Sequence, residues 1–370
     1  MNNRQKIWFI IGALIIVGCV WWFGNPNQPV TSDKPKIGGL FALTGFASFA
    51  GEASRDGFLM AIEDSGMEVE YVIEDFQSDL KTTATAATKL ITVDKVPVII
   101  GPEWNEFGEI ITPISATYKT VFISPWMSSE GKIFSSDYYF SGTPSERGQT
   151  KKLLQYIQSQ GHQKIALLYS NNAWAQGYVN ILKDELQKTQ VTIVEELKVN
   201  ENVSDFKTEL TRIKQSEPDA IYTVISTDID EGLFNKQARE LNIALPHYMP
   251  FPRAESGVFL EQFGSYVKGI IYPAPAEYKN AEKFREKYTK RFGKAPGAIS
   301  AAVSYDMTTL VLRAMQEGAR TSDDIRQYLL RVENYDGYSN SITFAGQRQA
   351  AEEKVLIKEI TGSTPKVIGE

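Results

Sequence analysis

Val96-Pro97-Val98-Ile99-Ile100-Gly101 is a short, continuous apolar run rich in β-branched residues. Such a run is typical of a strand buried on both faces of a parallel sheet, because a half-exposed strand would alternate apolar and polar residues. The segment before it places four apolar residues on one helical face: Ala84, Ala87, Leu90 and Ile91. A helix over about residues 106–117 and a second apolar run, Val121-Phe122-Ile123-Ser124, follow it. This part of the chain therefore predicts parallel strands joined by helices.

The same alternation extends in both directions along the chain. It predicts further strands at residues 37–43, 69–73, 164–169 and 220–224, and helices near residues 175–188, 204–215 and 230–241. After Tyr272 the pattern changes to long helices and a closing β-rich stretch, at residues 279–292, 298–317, 322–332 and 341–357. Strand–helix alternation indicates parallel sheets covered on both faces by right-handed crossovers. We expect an α/β protein with two such sheets.

Length and composition limit the classes of function. The chain has 370 residues, of which 42% are hydrophobic and 23% charged, so it is long enough for two domains with separate cores. Its formal net charge is −6, and its basic residues are interleaved with acidic ones rather than clustered. Nucleic-acid binding depends on clustered Lys and Arg side chains. We therefore expect no nucleic-acid partner.

The residues that usually carry enzyme chemistry are scarce. Cys19 is the single cysteine, which excludes an intramolecular disulfide and a multi-cysteine metal site. The two histidines, His162 and His247, are far apart in sequence and match no metal-binding spacing. No phosphate-binding glycine loop or nucleophile elbow is present. The sequence predicts a protein without catalytic residues, metal or cofactor.

The first 35 residues are predicted to be an export signal or membrane anchor followed by a tether. Arg4 and Lys6 precede an unbroken apolar run over residues 7–23, a pattern typical of export signals and anchors. Ile16-Val17-Gly18-Cys19 resembles a bacterial lipobox, which would make Cys19 the lipidated N-terminus. The alternative is an uncleaved transmembrane helix, since the run is just long enough to cross a bilayer. Both interpretations place the rest of the chain outside the cytoplasm, anchored to the membrane.

Several stretches together resemble type I periplasmic binding proteins of the leucine/isoleucine/valine-binding family. Each stretch is short, but they occur in the family's order over about residues 36–360. They are Ile37 to Gly51, Ile100-Gly101-Pro102, Ile123-Ser124-Pro125, Phe140-Ser141-Gly142-Thr143, Gly161 to Gly177 and Ala301 to Asp306.

The resemblance implies two doubly wound lobes joined by three hinge crossings, with a solute bound between them. It implies that residues 36–145 and 275–335 form lobe 1, and that residues 146–274 and 336–365 form lobe 2. The crossings are expected near residues 143–147, 272–277 and 334–340. In open α/β sheets, ligands bind at the carboxyl ends of the strands, and hinge closure between two such lobes would bury the solute.

The resemblance also implies which residues contact the solute. In lobe 1 these are Asn105, the backbone of Trp126, and Ser128; a simple helix cap is the alternative interpretation of Asn105 and Ser128. Phe49 is expected in the cleft wall. In lobe 2, Trp174 stands where the family has an aromatic side chain that covers the ligand, although a Trp there could equally fill the core. Ser226 and Thr227 are further expected wall residues. Arg253 is the last of the expected solute contacts.

Arg253 marks a departure from the family. Amino-acid binders carry an acidic residue near this position, which pairs with the ammonium group of the ligand, but this chain reads Phe251-Pro252-Arg253. Ser300 also replaces the aromatic residue that usually closes the pocket. Arg253 could bind a carboxylate through its planar guanidinium, or it could be an ordinary surface residue. The ammonium site is therefore in doubt, and we expect an anionic ligand to be preferred over a free amino acid.

The function implied by the resemblance is capture of a small amino-acid-like or carboxylate solute for the permease of an ABC importer. A membrane-anchored ligand sensor, or an envelope interaction protein of the same fold, is the alternative. Fold alone does not decide between them.

Overall fold

The computed structural model describes residues 34–127, 135–144, 146–251, 257–276, 278–350, 354–362 and 365–369. From Lys36 onward the chain forms one compact unit. Cys19, Ser128 and Arg253 lie outside the described residues, as does the apolar N-terminal run. Within the described ranges, no helix is both long enough and apolar enough to cross a membrane.

Lobe 1 is built on a five-stranded parallel sheet. Its strand order is β2-β1-β3-β4-β5. The strands are β1 (Lys36–Phe41), β2 (Glu70–Asp75), β3 (Val98–Ile100), β4 (Val121–Ser124) and β5 (Tyr139–Ser141). The helices between them are α1 (Ser48–Ser65), α2 (Leu80–Thr92) and α3 (Asn105–Tyr118). The order reverses direction beside β1, as in a doubly wound sheet.

The strands of lobe 1 bury alternate residues in two different clusters. Val98 and Ile100 pack into one apolar cluster, while Ile99 between them packs into another cluster with α2 and α3. Because successive side chains of a strand point to opposite faces, both faces of the sheet are covered. The continuous apolar run from which the fold was predicted is thus explained by its position in the middle of this sheet.

Lobe 2 is built on a seven-stranded sheet with the order β14-β13-β10-β9-β8-β6-β7. The chain enters it through α4 (Glu146–Ser159). It continues through β6 (Lys164–Ser170), α5 (Ala173–Leu186), β7 (Thr192–Val199), α6 (Lys207–Gln215), β8 (Ala220–Val224), α7 (Asp228–Glu240), β9 (His247–Tyr248), α8 (Gly257–Val267) and β10 (Ile270–Pro275). These five strands run parallel. The predicted architecture of two doubly wound α/β lobes is therefore confirmed.

After β10 the chain returns to lobe 1. It forms α9 (Ala281–Phe292), α10 (Ser300–Gln316), α11 (Ser322–Leu330) and a hairpin of β11 (Tyr335–Asp336) and β12 (Ser341–Ile342). Helix α10 packs very closely against α1, because Gly57 has no side chain. A Cβ atom at Gly57 would lie 2.0 Å from the carbonyl oxygen of Ala301.

The third connection between the lobes lies later in the chain than the expected range of residues 334–340. Ile342, Phe344 and Ala350 are buried in the core of lobe 1, and the N–H of Ala350 donates to the carbonyl of Ser141 in β5. The chain then joins the other sheet as β13 (Val355–Glu359), which is antiparallel to β10, and β14 (Lys366–Gly369), which is antiparallel to β13. Residues 336–350, which the sequence assigned to lobe 2, therefore pack with lobe 1.

Candidate functional site

The two lobes meet where the carboxyl ends of several strands come together. Helix α3 begins directly after the loop that follows β3, and it contacts α5, which follows β6. At this contact Nδ2 of Asn105 would lie 3.7 Å from a Cβ atom built on Gly177. The missing side chain of Gly177 thus leaves room for Asn105 of the other lobe.

Asn105 is the first residue of α3 and not its N-cap. The N-cap is Trp104, which makes no side-chain capping bond. The interpretation of Asn105 as a simple cap is therefore wrong. Its side chain is buried and lies at the contact between the lobes.

Four aromatic side chains form what we call the aromatic wall of lobe 1: Phe46, Phe49, Trp104 and Trp126. The ring centroid of Trp104 lies 5.7 Å from Phe49, 6.2 Å from Phe46 and 5.3 Å from Trp126. All four follow the carboxyl ends of β1, β3 or β4. Phe46 is 68% exposed, Phe49 52% and Trp126 39%, so the outer rings of the wall face solvent. Apolar rings exposed together in this way are typical of a binding surface.

Trp104, at the centre of the aromatic wall, has an unusual backbone conformation. Its φ is 69° and its ψ is 139°, close to a region that is essentially restricted to glycine. Such a conformation costs about 1–3 kcal/mol and persists only where the surroundings hold it. Here the N–H of Trp104 donates to the carbonyl of Trp126 at 3.1 Å. The backbone of Trp126, an expected solute contact, thus supports Trp104, and its own N–H donates to Oγ of Ser124 at 3.3 Å.

Lobe 2 contributes a second aromatic group to this region. The ring of Trp174, in the first turn of α5, lies 4.9 Å from Phe251 and 5.1 Å from Tyr178, each in an edge-to-face arrangement. Trp174 is half-buried against the core of lobe 2. The structure therefore places it one helical turn before Gly177, beside the junction of the lobes, with its other side supported by core residues.

Ser226 and Thr227 already have partners within lobe 2. The hydroxyl of Thr227 accepts from the N–H of Asp230 at 3.0 Å and so caps α7. The hydroxyl of Ser226 donates to Oε1 of Glu201 at 2.7 Å, and Nδ2 of Asn172 donates to the same oxygen at 2.6 Å. Asn172 is in turn the N-cap of α5. This polar group fixes the carboxylate of Glu201 beside the start of α5.

Glu106 is an acidic residue of lobe 1 that lies close to this group. Burial raises the pKa of its carboxyl group, and the negative charges of Glu201 and Glu109 raise the pKa further. Its Oε2 atom is enclosed and has no hydrogen-bond partner among the residues that the structure describes. The carboxyl groups of Glu106 and Glu201, from different lobes, are therefore close enough to influence each other.

Glu103, directly before Trp104, is fully buried. Neither carboxylate oxygen has a hydrogen-bond partner in the described part of the chain, and the same is true of the nearby hydroxyl of Ser54. Burial raises the pKa of Glu103 to about 7, which the proximity of Ser54 opposes only in part. Ionisation of Glu103 near neutral pH would place an unpaired charge beneath the aromatic wall.

The two histidines do not take part in this region. Nε2 of His247 lies 2.8 Å from Oγ1 of Thr223, and Glu231 accepts from the same hydroxyl at 3.1 Å. Thr223 and Glu231 are completely buried in lobe 2, so this network is part of the core. His162 lies 3.0 Å from the hydroxyl of Tyr248. No group of three His, Cys, Asp or Glu residues suited to a metal ion occurs among the described residues.

The structure adds four site residues that the sequence did not single out: Phe46, Trp104, Glu106 and Glu201. Trp104 and Glu106 flank Asn105, so the resemblance that identified Asn105 also pointed to this part of the chain. Glu201 gave no such signal, because it follows the edge strand β7 and reaches Asn172 and Ser226 only through the fold.

Comparison with solved structures identifies the same architecture elsewhere. A leucine-binding protein, LivK, from Thermotoga maritima superposes with a TM-score of 0.75 at 21% identity, covering 90% of this chain and 98% of that chain. The substrate-binding protein LivJ from Streptococcus pneumoniae, solved with isoleucine, gives a TM-score of 0.73 at 22% identity, covering 91% and 100%. A solute-binding protein of an ABC transporter from Rhodopseudomonas palustris BisB5, solved with 3,4-dihydroxybenzoic acid, gives 0.72 at 21% identity, covering 89% and 93%. At these identities the likeness shows the fold alone.

Curated relatives include receptors from a plant. Glutamate receptor 2.1 of Arabidopsis thaliana is 25% identical over 267 residues, which is 68% of this chain but 29% of the receptor. This chain therefore corresponds to less than a third of that relative's length. The family described as "Periplasmic binding protein" matches residues 34–364. The chain therefore belongs to the periplasmic binding protein family, whose members bind solutes outside the cytoplasm.

Proposed function

We propose that this protein captures a small organic solute between its two lobes and delivers it to the permease of an ABC importer. The observation that supports this most is the aromatic wall, which faces solvent at the junction of two sets of strand ends. Solutes bind to open α/β sheets at such ends. The aromatic residues would supply most of the apolar contact area, and a few polar groups would orient the solute.

The polar contacts come from both lobes in this proposal. Asn105 and Ser128 hold one end of the solute from lobe 1, together with the backbone beside Trp126. Arg253 offers a planar guanidinium that suits a carboxylate. Phe49 forms part of the wall, and Trp174 covers the solute from lobe 2.

Ser226 and Thr227 have a different part in the proposal. Their hydroxyls are held by local partners, Glu201 and the N–H of Asp230. We therefore assign these two residues to shaping the site rather than to primary recognition of the solute.

Anchoring to the membrane through residues 1–35 is part of the same proposal. Replacing Cys19 with Ala separates the two kinds of anchor. Loss of fatty-acid labelling and of membrane partitioning would support a lipoprotein, whereas retention in the membrane fraction would support an uncleaved helix. Recovery of the full chain from the cytosolic fraction would contradict both.

A ligand sensor is the second candidate function, and the curated relatives favour it, since they are named as receptors. In that case the closed form would be recognised by a signalling partner rather than by a permease. Deletion of the protein would then change a response to the solute without changing its uptake. Loss of uptake of radiolabelled solute by the deletion strain, restored by the wild-type chain, would support transport.

Closure of the lobes is the structural step that both functions require. Small-angle scattering of residues 34–370 should show a smaller radius of gyration when the solute is bound, because hinge closure brings the lobes together. Identical scattering profiles with and without a saturating solute would contradict the closure step.

A further inference from the structure

Four polar side chains form a hydrogen-bonded group inside lobe 2, which we call the buried network. They are Thr223 of β8, Glu231 and Asn235 of α7, and His247 of β9. Thr223 and Glu231 are completely buried, and Asn235 and His247 are 6% and 7% exposed. The buried network therefore links one helix to two neighbouring strands of the sheet.

The side-chain amide of Asn235 determines where one proton of His247 lies. Nδ2 of Asn235 donates to the backbone carbonyl of Glu231 and to Oε1 of the same residue, both at 2.8 Å. Both amide hydrogens are thus in use, and Oδ1 of Asn235 lies 2.9 Å from Nδ1 of His247. Because Oδ1 can only accept, Nδ1 of His247 must carry a proton.

The hydroxyl of Thr223 has one hydrogen and two close neighbours. Its Oγ1 lies 2.8 Å from Nε2 of His247 and 3.1 Å from Oε2 of Glu231. If the hydroxyl donates to Glu231, Nε2 of His247 must carry a second proton in order to donate to Oγ1. If it donates to His247, Glu231 must be a neutral acid that donates to Oγ1. A neutral imidazole beside an ionised carboxylate would leave one of these two contacts without a hydrogen between its atoms.

The surroundings of the buried network are apolar, which makes an unmade hydrogen bond unfavourable. The ring of Phe234 lies 5.7 Å from the ring of His247. Phe263 of α8 packs so closely on Gly232 that a Cβ atom there would lie 2.2 Å from its ring. Burial lowers the pKa of His247 to about 3, so this side chain alone would hold no second proton at neutral pH. Glu231 is therefore needed as the second site for that proton.

Other ionisable groups near α7 in the described structure have their own places. Oδ2 of Asp230 accepts from the backbone N–H of Asn202 at 2.9 Å, and Arg239 donates to backbone carbonyls at the end of α8. Tyr222 and Tyr248 belong to the cluster on the opposite face of the sheet. The ionisable residues of the neighbouring helices α6 and α8 are exposed or half-buried: Lys207, Glu209, Arg212, Lys214, Glu261 and Tyr266.

We propose that the buried network is a proton-binding site, which at neutral pH holds one proton more than an ionised glutamate and a neutral histidine would hold. This proton completes the hydrogen bonds that fix α7 against β8 and β9. It belongs to the network rather than to one residue, since Glu231 and His247 both contact the hydroxyl of Thr223. The inference concerns the interior of lobe 2 and does not depend on the proposed function.

The extra proton should make the stability of the protein depend on pH. Above about pH 6.5 an unfolded chain holds no such proton on either side chain. The folded chain still holds one, so its stability falls as the pH rises. Glu231→Gln should keep the hydrogen bonds, because the new amide can donate to Thr223 and accept from Asn235, but it cannot release a proton.

Denaturant unfolding of the wild type and Glu231→Gln tests the proposal. Between pH 6.5 and pH 8.5 the folding equilibrium constant of the wild type should fall by about 10-fold per pH unit relative to that of the variant. Glu103 is present in both chains, so its own titration cancels in this ratio. Glu240→Gln is the matched control, because Glu240 lies at the exposed end of α7, where it pairs with Lys236 at 3.9 Å. The control should keep the pH dependence of the wild type. A constant ratio between the wild type and Glu231→Gln over this range would overturn the inference.

Nitrogen-15 NMR of histidine reads the buried network in the wild type, so the test stands even if Glu231→Gln does not fold. The chain has two histidines, and a His162→Asn variant assigns the signals of His247. The Nε2 signal of His247 should show a hydrogen-bonded nitrogen and should stay constant from pH 6 to pH 8, because the network keeps its proton. An Nε2 signal typical of a free nitrogen without a hydrogen bond, or one that changes over this range, would overturn the inference.

Discussion

Glu103 lies between Pro102 and Trp104, with a carboxyl group that is fully buried and has no hydrogen-bond partner in the described structure. Its pKa is raised to about 7 in the folded protein because burial penalises the charged form. In the unfolded chain the pKa returns to an ordinary value of about 4.3. The folded state therefore binds this proton more tightly, and its stability falls as the pH rises between these two values.

Replacing Glu103 with Gln should remove this pH dependence. At pH 4 the variant and the wild type should differ least in free energy of unfolding, because Glu103 is then largely protonated in both the folded and the unfolded wild type. At pH 8 the variant should be more stable by up to about 3 kcal/mol, since the wild type must hold an unpaired buried charge. Denaturant unfolding at several pH values measures this difference. A constant difference across the range from pH 5 to pH 8 would contradict it.

The site could be predicted in part at the level of single residues. Asn105, Phe49, Trp126 and Trp174 were predicted from short stretches that resemble the family, and the structure places all four beside the junction of the lobes. Their contact with a solute stays a prediction. Trp104 could not be predicted, because its conformation depends on hydrogen bonds to a different loop.

The proximity of two carboxylates from different lobes has no sequence signature either. Glu106 and Glu201 are far apart in the chain, and nothing in the neighbours of either residue points to the other. Only the packing of α3 against α5 brings their carboxylates toward the same junction. Sequence periodicity does not encode that packing.

Helix α5 shows how one glycine can control an element's contacts. Gly177 lies inside this helix, where glycine is less favourable than alanine by about 1 kcal/mol. The space above it is taken by Nδ2 of Asn105, at 3.7 Å from the position of a Cβ atom. A methyl group would fit at this ordinary contact distance, but a longer side chain would meet α3 of the other lobe.

Two substitutions at Gly177 should therefore differ in their effect on solute affinity. Gly177→Ala should raise the free energy of unfolding by about 0.5–1 kcal/mol and leave the affinity for solute unchanged. Gly177→Leu should also keep much of the increase in the free energy of unfolding that comes from replacing a helical glycine. It should weaken solute binding by about 10-fold or more, because the leucine side chain would hold the lobes apart. Parallel unfolding and calorimetry would show this split. Equal affinities for the two variants would contradict the placement of α3 against α5.

Helix α10 holds the loop that joins β11 to β12 in place. The carboxylate of Asp306 accepts from the backbone N–H groups of Tyr338 and Ser339, at 2.9 Å and 2.7 Å, and from the hydroxyl of Ser339 at 2.6 Å. Burial raises the pKa of Asp306 to about 6, although these donors oppose the rise. The fully buried carboxylate is thus the main acceptor for a loop that would otherwise have unpaired N–H groups.

Asp306→Ala should lower the free energy of unfolding by about 2–4 kcal/mol, since it leaves three partly buried donors of Tyr338 and Ser339 without their acceptor. Asp184→Ala is the control, because Asp184 is exposed and its ion pair with Arg147 is a surface pair. The control should change stability by less than about 1 kcal/mol. Denaturant unfolding of both variants measures the difference. A loss of similar size for both would show that Asp306 does not hold the loop.

Most helices and strands of the described chain follow from sequence periodicity, and the exceptions have physical reasons. Strand β7 was not predicted, because it lies at the edge of its sheet and is largely exposed. Strands β5 and β9 are only three and two residues long, which is too short for a period to appear. The third connection lies later than the resemblance implied, because Arg348 and Ala350 exchange backbone hydrogen bonds with Ser141 of lobe 1.

At the scale of the whole molecule, two sheets of parallel strands place their loops and helix ends around one junction. The alternation of strands and helices indicated two sheets, but only the resemblance to a family indicated that they form two lobes that share one site. The aromatic wall, Asn105 against Gly177, and the carboxylates of Glu106 and Glu201 all lie at this junction. One small solute should therefore occupy this place in each chain.

Native mass spectrometry tests this claim most directly. Residues 34–370 would be purified without unfolding from the cells that make the protein, then offered an extract of the growth medium. We expect a mass excess equal to one small organic molecule per chain, released on unfolding and strongly reduced in Trp104→Ala. No bound mass in either condition, or an equal excess in Trp104→Ala, would contradict the account.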